Sequence, residues 1–111
     1  MNQRDIIWVS LPYTDFKEAK ARPAVVVSND EYNKSHKDLV VCALTTNLQT
    51  KEYSVIIDNE NISSGKLPLR SRIRADKILQ ISKDLAKGSF ASINQNTFKD
   101  LTKEILKLIS G

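Results

Sequence analysis

Arg70, Arg72, Arg74 and Asp76 are the residues of this chain whose types and spacing could do chemistry. They alternate, so in a continuous strand all four share one face, roughly 6.6 Å apart, with Leu69, Ser71, Ile73 and Ala75 on the other. Three guanidiniums so placed repel one another unless an anion or neighbouring acids lie close. Arginine's planar fork also suits bidentate contact with phosphate. Asp76, two residues past Arg74, sets a base beside a cation. Cleavage of a phosphodiester by a ribose 2′-OH needs both: a group to take the 2′ proton, and one to stabilise the phosphorane and the leaving oxygen. The plain alternative is an Arg–Asp ion pair on a solvated strand face, which is common and does nothing. The residues alone leave both open.

Charge distribution favours an anionic partner more than total charge does. The 111 residues carry 17 Lys and Arg against 13 Asp and Glu, a net +4. The stretch from Lys66 to Lys77 holds Lys66, Arg70, Arg72, Arg74 and Lys77 against Asp76 alone, a local surplus equal to the whole net charge. Such concentration points to an anion more strongly than the sum. Other chemistries are excluded by composition. With one histidine, His36, and one cysteine, Cys42, no Cys/His metal site can be built, and no phosphate-cradling glycine loop occurs. No metal or cofactor is therefore expected. His36 lies in the polar stretch Asn33 to Asp38 and reads as an exposed loop residue. Cys42 reads as a small buried hydrophobe. Arg22, before Pro23, reads as a flanking charge at a strand mouth. Thr45 and Thr46 close an apolar run, as threonines often do. Neither feature alone carries a function. Apolar runs of five to eight residues are too short to span a membrane, no signal peptide is read, and the cytoplasm is the expected compartment.

These residues must be positioned by short strands. Ile6–Leu11 ends at Pro12, Ala24–Ser28 follows Pro23, and Leu39–Leu44 is a third apolar run. Tyr53–Ile57 stops at Asp58-Asn59, and Leu69–Ile81 reads as one long strand or two short ones. The last segment changes period. Phe98, Leu101, Ile105 and Leu108 recur at steps of three and four, the spacing of one helical face. Asn94 is the expected N-cap and Gly111 the expected terminator. The expected fold is mainly β with a C-terminal helix: about five short strands closing into a small barrel, in one domain over residues 1–111.

The order of these pieces resembles the MazF/PemK family of toxin endoribonucleases. Asp5-Ile6-Ile7-Trp8-Val9 is similar to the family's opening "D-I-V-W-V". Arg22-Pro23-Ala24-Val25-Val26-Val27-Ser28 is similar to "R-P-A-V-V-x-S", and Tyr32-Asn33 to its aromatic-Asn pair. Ala43-Leu44-Thr45-Thr46 resembles "P-x-T-[ST]", and Arg74-Ala75-Asp76-Lys77-Ile78 with Ile81-Ser82-Lys83 resembles "R-x-D-Q-I…I-x-K". The resemblance implies an SH3-like PemK/CcdB-like barrel forming a homodimer. It implies the toxin of a type II toxin–antitoxin pair, held in check by an acidic antitoxin. It implies metal-independent, sequence-specific cleavage of single-stranded RNA by 2′-OH attack, leaving 2′,3′-cyclic phosphate and 5′-OH ends. On the same resemblance Arg22 stabilises the phosphorane or protonates the leaving group, Thr45 orients the scissile phosphate, and Arg74 and Asp76 supply acid and base. Thr46, Arg70 and Arg72 are candidate RNA contacts by position, and Glu18 is an approximate match to a family glutamate in the first loop.

Departures from the pattern fall at two places. Arg4 stands where the family usually has glycine. The segment Pro12 to Ala21 lacks the family's glycines and its His-Glu-Gln feature, which bears on substrate choice. Two other functions fit the same fold: a protein-binding toxin of the CcdB gyrase-poison type, and a non-catalytic relative that binds RNA or antitoxin. A gyrase poison would have no need of Arg22, Thr45, Arg74 and Asp76 together.

Overall fold

Apolar runs interrupted by turn residues become strands, and here they form one antiparallel sheet. The computed structural model describes residues 1–12, 19–50 and 52–111. Strands β1 (Asp5–Pro12) and β2 (Ala19–Val26) are followed by helix α1 (Asp30–Ser35) and strand β3 (Asp38–Thr45). Next come β4 (Ser54–Ile57), a single 3-10 turn at Asn59–Asn61, and β5 (Ile62–Gly65). The long β6 (Ser71–Ser82), a second 3-10 turn (Lys83–Leu85), β7 (Ala86–Ile93) and helix α2 (Gln95–Ile109) complete the chain.

The strands pair in the order β4-β6-β3-β2-β1-β7-β5. Connectivity forces this sheet to curl. Its two edges, β4 and β5, are joined by only residues 58–61, a link reaching at most about 18 Å. Seven flat strands would separate them by roughly 29 Å. The result is a curled half-barrel, with no hydrogen-bonded pairing between β4 and β5 among the described residues.

Both faces of the sheet are apolar, which is why its central strands read as continuous hydrophobic runs. Inside the curl, Ile6, Val25, Cys42, Leu44, Ile57, Ile73, Ala75, Ala91 and Ile93 pack with Leu101 of α2. On the other face Ile7, Val9, Ala24, Val26, Leu39, Val41 and Ile81 form a second cluster, flanked by Leu79, Leu85 and Ala86. Neighbours in sequence, such as Val25 and Val26, thus serve opposite cores.

β6 changes face partway along. Leu44 pairs with Ile73 and Cys42 with Ile78, so two steps along β3 are matched by five along β6. The three extra residues form a bulge between Ile73 and Ile78. Because three is odd, alternation reverses across it: Ile73 and Ala75 enter the inner core, whereas Leu79 and Ile81 enter the outer one. The expectation that Arg70, Arg72, Arg74 and Asp76 line one continuous strand face is corrected here. Arg70 precedes β6, and Arg74 and Asp76 sit in the bulge.

Other differences from the sequence reading are local. β2 starts at Ala19, so Arg22 lies within a strand, paired across to Val9, rather than at its mouth. Among the described residues seven strands form rather than about five, β5 and β7 being the additions. Helix α2 starts as expected, with the Asn94 side chain accepting from Thr97 N at 2.8 Å. It ends on Ser110 in an extended conformation, not on Gly111. His36 is exposed, caps α1 and stacks on Tyr32 with ring centroids 4.0 Å apart.

Candidate active site

The residues singled out from sequence converge because of strand register. In an antiparallel sheet, residues directly opposite each other share a face. Thr45 at the end of β3 pairs with Arg72 of β6, Arg72 pairs with Ile56 of β4, and Arg74 pairs with Ser54. On β2, Ala24 and Val26 belong to the outer core, so Arg22 shares that face by alternation. Carrying the β2–β3 register two residues past Ala24–Ala43 sets Arg22 level with Thr45. Thr45 and Arg72 therefore form a row across two strands, and Arg22 joins it only where the β2–β3 register is continued past its last pair, Ala24–Ala43. Arg74 and Asp76 follow immediately along β6.

Arg74 and Asp76 form a two-pronged ion pair. Arg74 Nε donates to Asp76 Oδ1 at 3.0 Å and Nη2 donates to Oδ2 at 3.2 Å. Their side chains are 37% and 34% exposed. The hydrogen bonds from Arg74 hold the Asp76 carboxyl below the usual carboxylate range against the opposing effect of partial desolvation; the charges of Arg74 and Arg72 add to the lowering. Arg74 is raised by the same hydrogen bonds, so its guanidinium stays charged and does not act as a proton donor. Asp76 is thus ionised at neutral pH and carries the right protonation state for a base.

Thr45 is half-buried, and its Oγ1 accepts a hydrogen bond from Asn47 N at 3.1 Å. Accepting from the backbone fixes the oxygen and leaves the hydroxyl proton available to an anion. Arg22 is exposed, so its guanidinium can meet a ligand. Arg72 is the unexpected member. It is only 7% exposed, and its Nε donates to the Asn47 carbonyl at 2.9 Å. Thr46 and Arg70 are exposed beside the row. Glu18 lies outside the described residues. Ser54 was not legible as part of this face. Its Oγ is fully buried and has no hydrogen-bond partner, and a lone serine at the start of a strand carries no signal in sequence.

His36 takes no part in this row. It lies just before β3, whereas Thr45 ends that strand, roughly 20 Å away. Among the described residues no group of three or more His, Cys, Asp or Glu could hold a metal ion. The buried Cys42 thiol is pushed up to about 12, first by burial and then by the charge of Asp76, so it is an inert core group. Among the described residues no helix is long and apolar enough to cross a membrane.

Residues 2–109 match the family described as PemK-like, MazF-like toxin of type II toxin–antitoxin system. The fold is similar to that of MazF from Deinococcus radiodurans, with a TM-score of 0.78 and 16% identity over 100% of this chain and 97% of that one. It is also similar to a mycobacterial endoribonuclease in complex with its cognate antitoxin, with a TM-score of 0.77 and 21% identity over 96% of this chain and 92% of that one. The Mycobacterium tuberculosis toxin MazF-mt6 gives a TM-score of 0.77 and 19% identity over 94% of each chain. No protein of curated function matches in sequence.

Proposed function

Because this chain belongs to the PemK-like, MazF-like toxins of type II toxin–antitoxin systems, we propose that it is a metal-independent endoribonuclease cutting single-stranded RNA. The observation that carries the reading is the side-by-side placing of Thr45 and Arg72, leading into the Arg74–Asp76 pair, with Arg22 on the same face of β2 by alternation. In this reading the ionised Asp76 takes the 2′-OH proton. The freed oxygen attacks the adjacent phosphorus, and the bond to the 5′-oxygen of the next nucleotide breaks. The products are a 2′,3′-cyclic phosphate and a 5′-OH end. Thr45 donates its hydroxyl proton to a non-bridging phosphate oxygen, and Arg22 with Arg74 stabilises charge on the phosphorane. Water supplies the leaving-group proton, since neither arginine readily gives one up. Thr46 and Arg70 flank the path of the strand, and Glu18 is a further candidate RNA contact.

The proposal extends to assembly. One domain over residues 1–111 acts as a homodimer in the cytoplasm. An acidic antitoxin segment competes with RNA for the arginine face, as opposite charge favours. The test is digestion of a long single-stranded RNA by the purified protein in EDTA, with Arg22→Ala as control. Cuts at one short motif, bearing 5′-OH ends and lost in the folded mutant, are expected. No cutting by the folded wild-type protein, or equal cutting by Arg22→Ala, would overturn the assignment.

A further inference from the structure

Arg72 combines two properties that rarely coexist. It is 7% exposed, and no carboxylate closes an ion pair with it: its charge is felt by Asp76, but the ion pairs among the described residues are Arg74–Asp76 and Lys107–Glu104. A charge withdrawn from water without a counter-ion is unfavourable. Its one hydrogen bond among the described residues, Nε to the Asn47 carbonyl, leaves the donors of both Nη nitrogens without a protein acceptor. Neither Nη is among the fully buried atoms that lack a partner; Ser54 Oγ is the only such atom among the described residues. The Nη donors therefore reach the surface through what remains of the residue's exposure. Ser54 stands on β4 opposite Arg74, and Ile56, two residues on, stands opposite Arg72. Arg72, with its open Nη donors, and Ser54, with its unpartnered Oγ, thus occupy one small area of one sheet face. Acids do not supply their partners, and the nearest one, Asp76, is held by Arg74.

We propose that Arg72 is a built anion subsite that takes a second phosphodiester of the RNA, next to the one held between Arg22, Thr45 and Arg74. This rests on the ribonuclease reading above. The two β6 arginines are spaced by one strand repeat, roughly 6.6 Å, the scale of the step between successive phosphates along a nucleic-acid strand. The fork geometry of a fixed, half-desolvated guanidinium favours a tetrahedral oxyanion over a diffuse counter-ion. Because Arg72 Nε is pinned by Asn47, the subsite is set in place before RNA arrives. Its contribution is to fix the register of the strand across the Arg74–Asp76 pair.

The experiment measures binding of a 2′-deoxy oligonucleotide, which cannot be cut by 2′-OH attack, to the full chain and to Arg72→Gln over a range of salt. One lost single-strand phosphate contact lowers the slope of log affinity against log salt by about 0.7, and that change is expected. An unchanged slope in folded Arg72→Gln overturns the subsite and leaves Arg72 as a brace for Asn47. If Arg72→Gln does not fold, the wild-type Arg72 Nε–H resonance is followed during titration with inorganic phosphate at constant ionic strength. A saturating shift that chloride does not produce supports the subsite, and no shift overturns it. A protein with the Arg72-dependent slope that leaves RNA uncut in EDTA would instead sink the ribonuclease reading, so the two failures are distinguishable.

Discussion

At the scale of single residues, the Arg74–Asp76 pair sets the expected pH behaviour. Its hydrogen bonds hold Asp76 low, so under the cleavage reading the acid limb of kcat/KM lies below the ordinary carboxylate range of about 4. Arg74→Gln removes both hydrogen bonds and charge, so the limb should move upward; a pH–rate profile, or the carboxyl carbon resonance of Asp76, checks it. A limb that stays in place would show that Asp76 is not the titrating base. The pair also stabilises the fold above the unfolded-state pKa, and this is lost as pH falls through the lowered folded value. With both side chains about a third exposed, that contribution is small. Arg4 offers a second test. It sits at φ +80°, a left-handed conformation that glycine adopts freely, and glycine is what the resembled family usually has there. Arg4→Ala keeps the strain and loses the bond from Nη1 to the Ile93 carbonyl, 3.0 Å long. Arg4→Gly loses the bond but relieves the strain. Urea denaturation should find the glycine variant about 1 kcal/mol more stable than the alanine one. Motif order singles out Arg22, Thr45, Arg74 and Asp76 as candidates, and the fold sets all four on the outer face of the sheet. The burial of Arg72 and the isolation of Ser54 were not legible, because simple alternation gives all strand arginines the same solvated face.

At the scale of elements, what the sequence revealed tracks how local each signal is. Helix α2 was legible because its N-cap and its repeating apolar positions lie within one segment. Asn94→Ala should cost about 1 kcal/mol, and Leu101→Ala, fully buried against the inner core, about 3 kcal/mol. Thermal or chemical denaturation checks both, and near-neutral values would mean that α2 is docked by other contacts. Strands β5 and β7 were missed because Ile62–Gly65 and Ala86–Ile93 are rich in serine, glycine and alanine, with few β-branched residues. They are strands because partners far along the chain make them so. The contact between them is tight: a Cβ added at Gly65, φ +76°, would lie 2.2 Å from the Phe90 carbonyl oxygen. Gly65→Ala should therefore weaken the β5–β7 edge, visible as faster amide exchange along Ile62–Gly65. Helix α1 was passed over because six residues hold too little periodicity to register; its Asn29 cap and the Lys83 side chain bonded to the Asn33 carbonyl secure it from outside.

At the scale of the molecule, the short link between β4 and β5 turns a sheet into a half-barrel and makes two cores from one layer. Continuous apolar runs announced burial on both faces, which the sequence reading took as short strands of a barrel. What it could not supply was register, since neither hydrophobicity nor charge marks where β6 gains three residues on β3. That gain decides where the chemistry sits. Arg74 and Asp76 face outward at the one place where β6 is released from regular pairing with β3, with only the Ala75 N–H to Tyr53 carbonyl bond beyond the β4 pairing holding it on the other side.

The bulge also gives this stretch of β6 room to change length. Which way its later side chains face is set by their partners on β3, Leu79 opposite Val41 and Ile81 opposite Leu39. Removing one residue between Arg74 and Lys77 leaves an excess of two, which plain alternation spans with Leu79 and Ile81 still in the outer core. Removing two leaves an excess of one, a single-residue bulge with the same outcome. A deletion scan read by soluble yield and denaturation should therefore find both shortened chains folded, and loss of the fold on either deletion would show that the core needs all three extra residues. What shortening removes is the freedom with which the bulge presents Arg74 and Asp76, so the segment can drift in length only where its chemistry is not being used.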